Sequence, residues 1–194
     1  MAGSSFYETK NALIAAGITG PHRSHSREST IRKIHILLAA EDLDATFGLS
    51  GLDKYSAFEV LSFMAELTGC PADIEDVACG DLIDPDKTMA GLVAAAERLK
   101  GAAKRGDSLL VATGHPTGML EFYVRVLDAY VSAGGKTIRL REEEKLPIGT
   151  GGRDREVRYV GGVGCLADWG SLKHTHSSKA MEAMLESRPW PDLV

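Results

Sequence analysis

The chain has 194 residues, enough for one well-packed domain or for a small helical part fused to an α/β part. Its 27 acidic and 22 basic side chains leave a formal charge of −5, which argues against generic nucleic-acid binding, a role that normally shows as a basic excess. Three scattered cysteines, Cys70, Cys79 and Cys165, form neither a disulfide framework nor a paired Cys-x-x-Cys zinc motif; with no secretory leader pattern and no run near the roughly 20 apolar residues that span a bilayer, the expectation is a cytoplasmic protein with no membrane partner.

The first half reads as helical, so residues 1–105 are expected to form an N-terminal helical region. A short helix is predicted between Phe6 and Ala16, stopped by Gly17 and Gly20, with Pro21 closing off any continuation. Between Pro21 and Lys33 the chain carries Arg23, Arg27, Arg32 and Lys33 against the single acid Glu28. Guanidinium groups take phosphate oxygens two at a time, which makes Arg23 and Arg27 candidate phosphate clamps; a solvated helix face capped at Ser26 is the competing reading. From Arg27 onward Ile31, Ile34, His35 and Leu38 fall on one stripe. Ser56 and Glu59 have capping-box spacing ahead of Val60, Leu61, Met64 and Leu67, and Gly69 with Pro71 supplies the stop. Asp84 and Pro85 open a further helix, whose apolar face of Met89, Leu92, Val93, Ala96 and Leu99 runs to about Ala103, and Gly106 ends it.

Residues 106–194 change to strand, turn, helix and strand, the sign of a βαβ unit. The expected fold is therefore α/β: a mostly parallel, Rossmann-like three-layer sheet forming a ligand-binding core, with the N-terminal helical region packed into the same domain. Ser108 to Val111 is a buried strand, Gly114 to Gly118 a turn, and Leu120, Tyr123, Val124, Leu127, Tyr130 and Val131 the buried stripe of the crossover helix, ended by Gly134 and Gly135. Lys136 to Arg141 is the next strand. Residues 142–156, with many charges, Pro147 and three glycines, read as an exposed loop. Val157 to Leu166 and Ser171 to His174 flank an Ala-Asp-Trp-Gly turn and suggest an antiparallel hairpin, although Gly161, Gly162 and Gly164 weaken the first strand. Ser178 to Ser187 is helical. Pro191 to Val194 looks like a strand that stops as it starts, so a C-terminal truncation is expected.

Two turns carry donors. At Gly114 to Gly118, helix-start N–H groups and the positive dipole end favour an anion, the glycines permit unusual backbone angles, and His115 and Thr117 add side-chain donors. The motif is neither Walker A nor the dinucleotide fingerprint, and a packing turn is the alternative. At Lys173 to Ser178, Thr175 and Ser177 join His174 and His176, which alternate so that both could face one ligand. A phosphate site, a zinc or manganese site built on His-x-His, and a helix cap with solvent-facing histidines all stay open there. A metal needs a third ligand, and Asp168 and His115 are the best linear candidates.

Cys165 lies in an apolar strand without a Cys-x5-Arg loop, and Asp-x-Asp and Gly-x-Ser-x-Gly motifs are absent. Phosphoryl chemistry would fall to His115, His174 and His176, or to a metal-bound water. The expected site thus has His115, His174 and His176 as catalytic residues and Gly114, Thr117, Gly118, Thr175, Ser177, Arg23 and Arg27 as phosphate ligands. No residue is assigned to a metal, and the cofactor is left open, a divalent metal being one option.

Ala112-Thr-Gly-His-Pro-Thr-Gly118, His174-Thr-His-Ser177, Arg27-Glu28 and Arg188 to Val194 together, in this order over nearly the whole chain, resemble a bacterial family labelled only "phosphatase". In that family the strand beginning at Pro191 continues into an Ala-Asp-His-Gly segment and a further C-terminal part, which this sequence lacks. The resemblance implies His115, His174 and His176 as site residues. The expectation is a phosphoric monoester hydrolase acting on a small phosphorylated metabolite. A non-catalytic nucleotide or sugar-phosphate binding protein and a His-based metallohydrolase are the alternatives. A homo-oligomer is an open option.

Overall fold

The computed structural model describes residues 2–41, 46, 48–78, 80–148 and 154–194, with the backbone alone for 2–4 and 22–25. The chain divides into two units, Met1–Ala96 and Glu97–Val194.

Local signals build the helices of the first unit. These are α1 (Ala2–Ala15), α2 (Arg27–Ala39), a 3-10 turn (Leu52–Lys54), α3 (Ala57–Thr68) and the start of α4 (Pro85–Arg105). Ser56 and Glu59 close the expected capping box: the Ser56 hydroxyl accepts from the Glu59 N–H at 3.2 Å and the Glu59 carboxylate accepts from the Ser56 N–H at 2.8 Å. That backbone N–H, with the Ser56 hydroxyl, holds the Glu59 carboxyl below its ordinary range. Ser26 caps α2 by accepting from the Ser29 N–H. Ile34, Leu61 and Cys70 are buried together, with Leu38, Val60 and Met64 packed against them. On α4 Met89 is buried as expected, whereas Leu92 and Val93 stand exposed.

The first unit is not helical throughout. β1 (Gly20–Ser26) pairs antiparallel with β2 (Gly80–Ile83), with Gly20 opposite Ile83 and Ser26 opposite Gly80. Neither segment has the apolar alternation that marks a strand, and the partners lie far apart in the chain, so no local pattern signals the pairing. The pairing sets the use of Arg27. Its buried guanidinium donates to Asp81 at 3.2 Å, to the Asp73 carbonyl at 3.0 Å and to the Pro71 carbonyl, while Thr30 donates to the same Asp81 carboxylate. Arg27, expected as a phosphate clamp, is instead an internal brace of β2 and the loop before it. The side chain of Arg23 lies outside the described residues.

In the second unit, β3 (Ser108–Leu109) and β4 (Ala112–Thr113) are the two ends of one run, followed by α5 (Pro116–Ser132) and β5 (Lys136–Thr137). β3 and β5 pair in parallel across the α5 crossover, as a βαβ unit requires. The C-terminal segment adds on: Leu109 pairs in parallel with Leu193, and Asp192 accepts from the Ser108 N–H at 2.7 Å.

The larger sheet departs from the expected parallel one. It contains β4, β6 (Lys145–Leu146), β7 (Arg155–Val160), β8 (Val163–Asp168) and β9 (Ser171–Leu172), in the order β4-β8-β7-β6 with β9 also on β8. Only β4 and β8 are parallel; the β6/β7, β7/β8 and β8/β9 pairs are antiparallel. The β8/β9 pair is the expected antiparallel hairpin; the β7/β8 pair arises from Gly161-Gly162, which splits the predicted strand in two. Both have positive φ, 58° and 86°, the geometry of a two-residue hairpin turn. They also admit α5, since a Cβ would lie 2.7 Å from Val124 at Gly161 and 2.5 Å from Leu127 at Gly162. The predicted loop of residues 142–156 contains β6 and the first residues of β7; residues 149–153 lie outside the description.

Helices cover both faces. Val163 is buried with Leu127 and Tyr130 of α5 and Ala102 and Ala103 of α4. On the other face Leu146 and Val157 are buried with Met184 of α6 (Lys179–Leu185). Among the described residues no helix is long and apolar enough to cross a membrane.

Replacing Arg27 with Met should leave the half-buried Asp81 without its counter-charge and destabilise the protein by up to about 3–5 kcal/mol in denaturant unfolding. The double replacement Arg27→Met with Asp81→Leu should recover most of that loss. A solvent-facing clamp would show neither effect.

Candidate active site

β8 has two edges. β7 occupies one along its length, so β4 and β9 share the other: Thr113 pairs in parallel with Cys165, and Leu172 antiparallel with Ala167. The Lys173 N–H then donates to the Leu166 carbonyl at 2.8 Å. The two strands approach from opposite ends and meet between Cys165 and Leu166, where neither can continue. Both chains turn away from the sheet at the same level, one as Gly114-His115 and the other as His174-Thr175-His176.

A backbone hydrogen bond clasps these exits, the Thr175 N–H donating to the Gly114 carbonyl at 2.9 Å. Gly114 is there because of this approach: a Cβ would sit 2.2 Å from the Thr175 carbonyl oxygen. Neither Gly114 nor Gly118 has the positive φ that the sequence suggested, and Gly118 lies inside α5 facing open space.

The clasp brings three imidazoles together. The His176 Nε2 lies 2.9 Å from the His174 Nε2 and 3.3 Å from the His115 Nε2. Ring centroids are 4.2 Å apart for His115 and His174, 5.1 Å for His115 and His176, and 4.8 Å for His174 and His176. Loss of solvent, then the charges of His174 and His176, hold the His115 pKa below the ordinary imidazole value. The ligand nitrogens of all three lie within 4.8 Å of one another, a group able to hold a metal ion. His115 therefore stands where a third ligand is needed, whereas Asp168 is ion-paired with Arg155.

The amides of the Gly114 to Gly118 turn offer less than the sequence suggested. The His115 N–H is taken by the Thr113 hydroxyl at 3.1 Å, Pro116 has none, and the Gly118 N–H donates to the His115 carbonyl at 3.2 Å. Thr117 is exposed in the first turn of α5. The Thr175 hydroxyl accepts from the Ser177 N–H at 3.0 Å and the Ser177 hydroxyl from the Lys179 N–H at 3.4 Å, each keeping its own hydrogen to donate. Cys165 is buried, and burial pushes its thiol up, as suits a core residue.

One feature has no linear signal. A cleft of about 540 Å³ is lined by Lys145, Glu156, Arg158, Asp168 and Trp169, among others. Its charges come from β6, β7 and β8 and from Asp154 just before β7, and they meet through strand pairing. Directly paired residues share a face, and Arg158 and Thr113 both stand opposite Cys165. Arg158 thus lies on the face of the sheet from which Thr113 leads into His115.

A family model described as "Phosphatase" matches residues 5–194. The chain is also similar to "Phosphatase SCO2771" of Streptomyces coelicolor, with 36% identity over 163 residues, which are 81% of this chain and 60% of that protein. The chain thus spans about 60% of the length of this relative. No solved structure matches.

Gly114→Ala should separate the two exits, lowering stability by about 1–3 kcal/mol and activity with it. Gly118→Ala, which meets open space in a helix, should be neutral to stabilising by up to about 1 kcal/mol and leave activity unchanged. In chelator-treated protein, NMR titration should place the His115 midpoint below about 6.5, and His174→Ala should move it upward. Because the folded value is the depressed one, this group favours the unfolded chain as pH falls through and below the ordinary imidazole value.

Proposed function

The chain belongs to the Phosphatase family, and from that premise we propose that it hydrolyses phosphate monoesters of small metabolites, with His115, His174 and His176 as the reaction centre. The observation that carries this reading is the approach of the His176 Nε2 to both other imidazoles, from two motifs about 60 residues apart in the chain. An imidazole can both accept and donate a proton, which suits a reaction that must deprotonate water and reprotonate a leaving oxygen. In that reaction a water oxygen bonds to phosphorus, the ester P–O bond breaks, and the departing alcohol takes up a proton. The hydroxyls of Thr175 and Ser177, with Thr117, are the donors for the phosphoryl oxygens.

The cleft supports a small substrate. Its volume of about 540 Å³ falls in the range of roughly 300–1,000 Å³ usual for small-molecule sites, and Lys145, with Arg158 where an anion displaces its partner Glu156 at 2.6 Å, gives it cationic groups for a further anionic part of the substrate. In this reading Arg158→Ala raises KM more than it lowers kcat.

A phosphate-release screen over sugar phosphates, nucleotides and other phosphorylated metabolites, run with chelator and with added divalent ions, tests the proposal. His115→Ala should reduce turnover of a hit by about 10²- to 10⁴-fold with unchanged circular dichroism. Turnover at the wild-type rate in His115→Ala would remove the centre from the reaction. Thermal stabilisation by a phosphorylated ligand without phosphate release under any condition would establish a binding protein instead.

A further inference from the structure

We propose that His115, His174 and His176 together bind one divalent transition-metal ion, with zinc as the best fit, and leave a coordination position open to water. Ligand nitrogens bonded at about 2.0–2.1 Å to a tetrahedral ion stand about 3.3 Å apart. The His176 Nε2 lies 2.9 and 3.3 Å from the other two nitrogens and all the ligand nitrogens fall within 4.8 Å of one another, so ring rotations that close the longest separation would place a cation between them.

The donor type narrows the ion. Three imidazoles suit borderline ions such as zinc, cobalt or nickel, whereas magnesium and calcium need oxygen ligands. Among the described residues, Asp168, the other linear candidate, is ion-paired with Arg155, and Cys165 is buried in the sheet. His115 and His174 are exposed and His176 half-buried, so the fourth position faces solvent. Three protein ligands with an open fourth position is the catalytic arrangement; structural zinc sites close all four.

The scaffold suits the role. His115 caps α5, and His174 and His176 flank Thr175, whose N–H is tied to the Gly114 carbonyl. An ion would therefore cross-link the β4–α5 and β9–α6 connections and add its binding energy to folding. The consequence for catalysis rests on the proposed reaction centre, while the binding itself does not. Held by His115, His174 and His176, the ion would lower the pKa of a bound water and so supply hydroxide for the attack on phosphorus, the three rings then serving as ligands in place of proton carriers. The ester P–O bond breaks, and the leaving oxygen is protonated by water.

The test uses the full chain stripped with chelator and titrated calorimetrically with zinc, cobalt, manganese and magnesium chlorides. One equivalent of zinc should bind and raise the Tm, cobalt should develop a visible absorption band of low-coordinate Co(II), and magnesium should do neither. Each of His115→Ala, His174→Ala and His176→Ala should weaken zinc binding by more than the roughly 10- to 100-fold typical of losing an outer-shell partner. His35→Ala, an exposed histidine on α2, should not. X-ray absorption on the zinc-loaded wild-type chain counts imidazoles without any variant, so a misfolded variant does not blunt the test. Failure of the stripped chain to bind zinc, or a spectrum without three imidazoles, would overturn the site. Zinc binding without phosphate release would keep the site and overturn the proposed function; full turnover by stripped protein in chelator would overturn the role of the ion.

Discussion

Two strands cannot hold the same stretch of a sheet edge, and much of this protein's chemistry follows from that exclusion. β4 and β9 reach the free edge of β8 from opposite ends and meet between Cys165 and Leu166. Each must leave the sheet there, and the Thr175–Gly114 backbone hydrogen bond locks the two departures together. The histidines converge because they are the next residues along each path. A side chain at position 114 would strike the Thr175 carbonyl, so the closeness of the imidazoles rests on a missing Cβ.

The same geometry reassigns the charges. Anion recognition by turn amides is limited, because His115 and Gly118 spend their N–H groups on the Thr113 hydroxyl and the His115 carbonyl and Pro116 has none. Arg27 is consumed inside its own unit, where a buried guanidinium holds a half-buried carboxylate and two carbonyls. Breaking such a pair is costly because the surviving charge stays desolvated. The proposed partners for an anion in the second unit are instead the hydroxyls of Thr175 and Ser177 and the strand residue Lys145, Arg158 being ion-paired with Glu156.

Local physics was readable along the chain. The Ser56–Glu59 box, the Ser26 cap and the βαβ order all depend on neighbours within a few residues or on helical periodicity, and each is found where the pattern put it. The misreadings share a different origin. Gly161-Gly162 looked like weakness in one strand and is the turn between two, a distinction made only by the hairpin partner and by the press of α5. β1 and β2 carry no apolar alternation in sequence, so their pairing, which leads directly into Arg27 and its partner Asp81, leaves no local pattern to read.

By itself the sequence determined the helices, their caps, the mixed α/β class, and which residue types could do chemistry: two histidine motifs, with the residues between and around them rich in donors. Only the tertiary structure decided that the three histidines form one centre, that Asp168 is not part of it, that Arg27 braces the interior, and that the larger sheet is mixed. Capping and periodicity are short-range and are written in consecutive residues. Convergence depends on which strand edges are already occupied, which is settled only when the whole sheet has assembled.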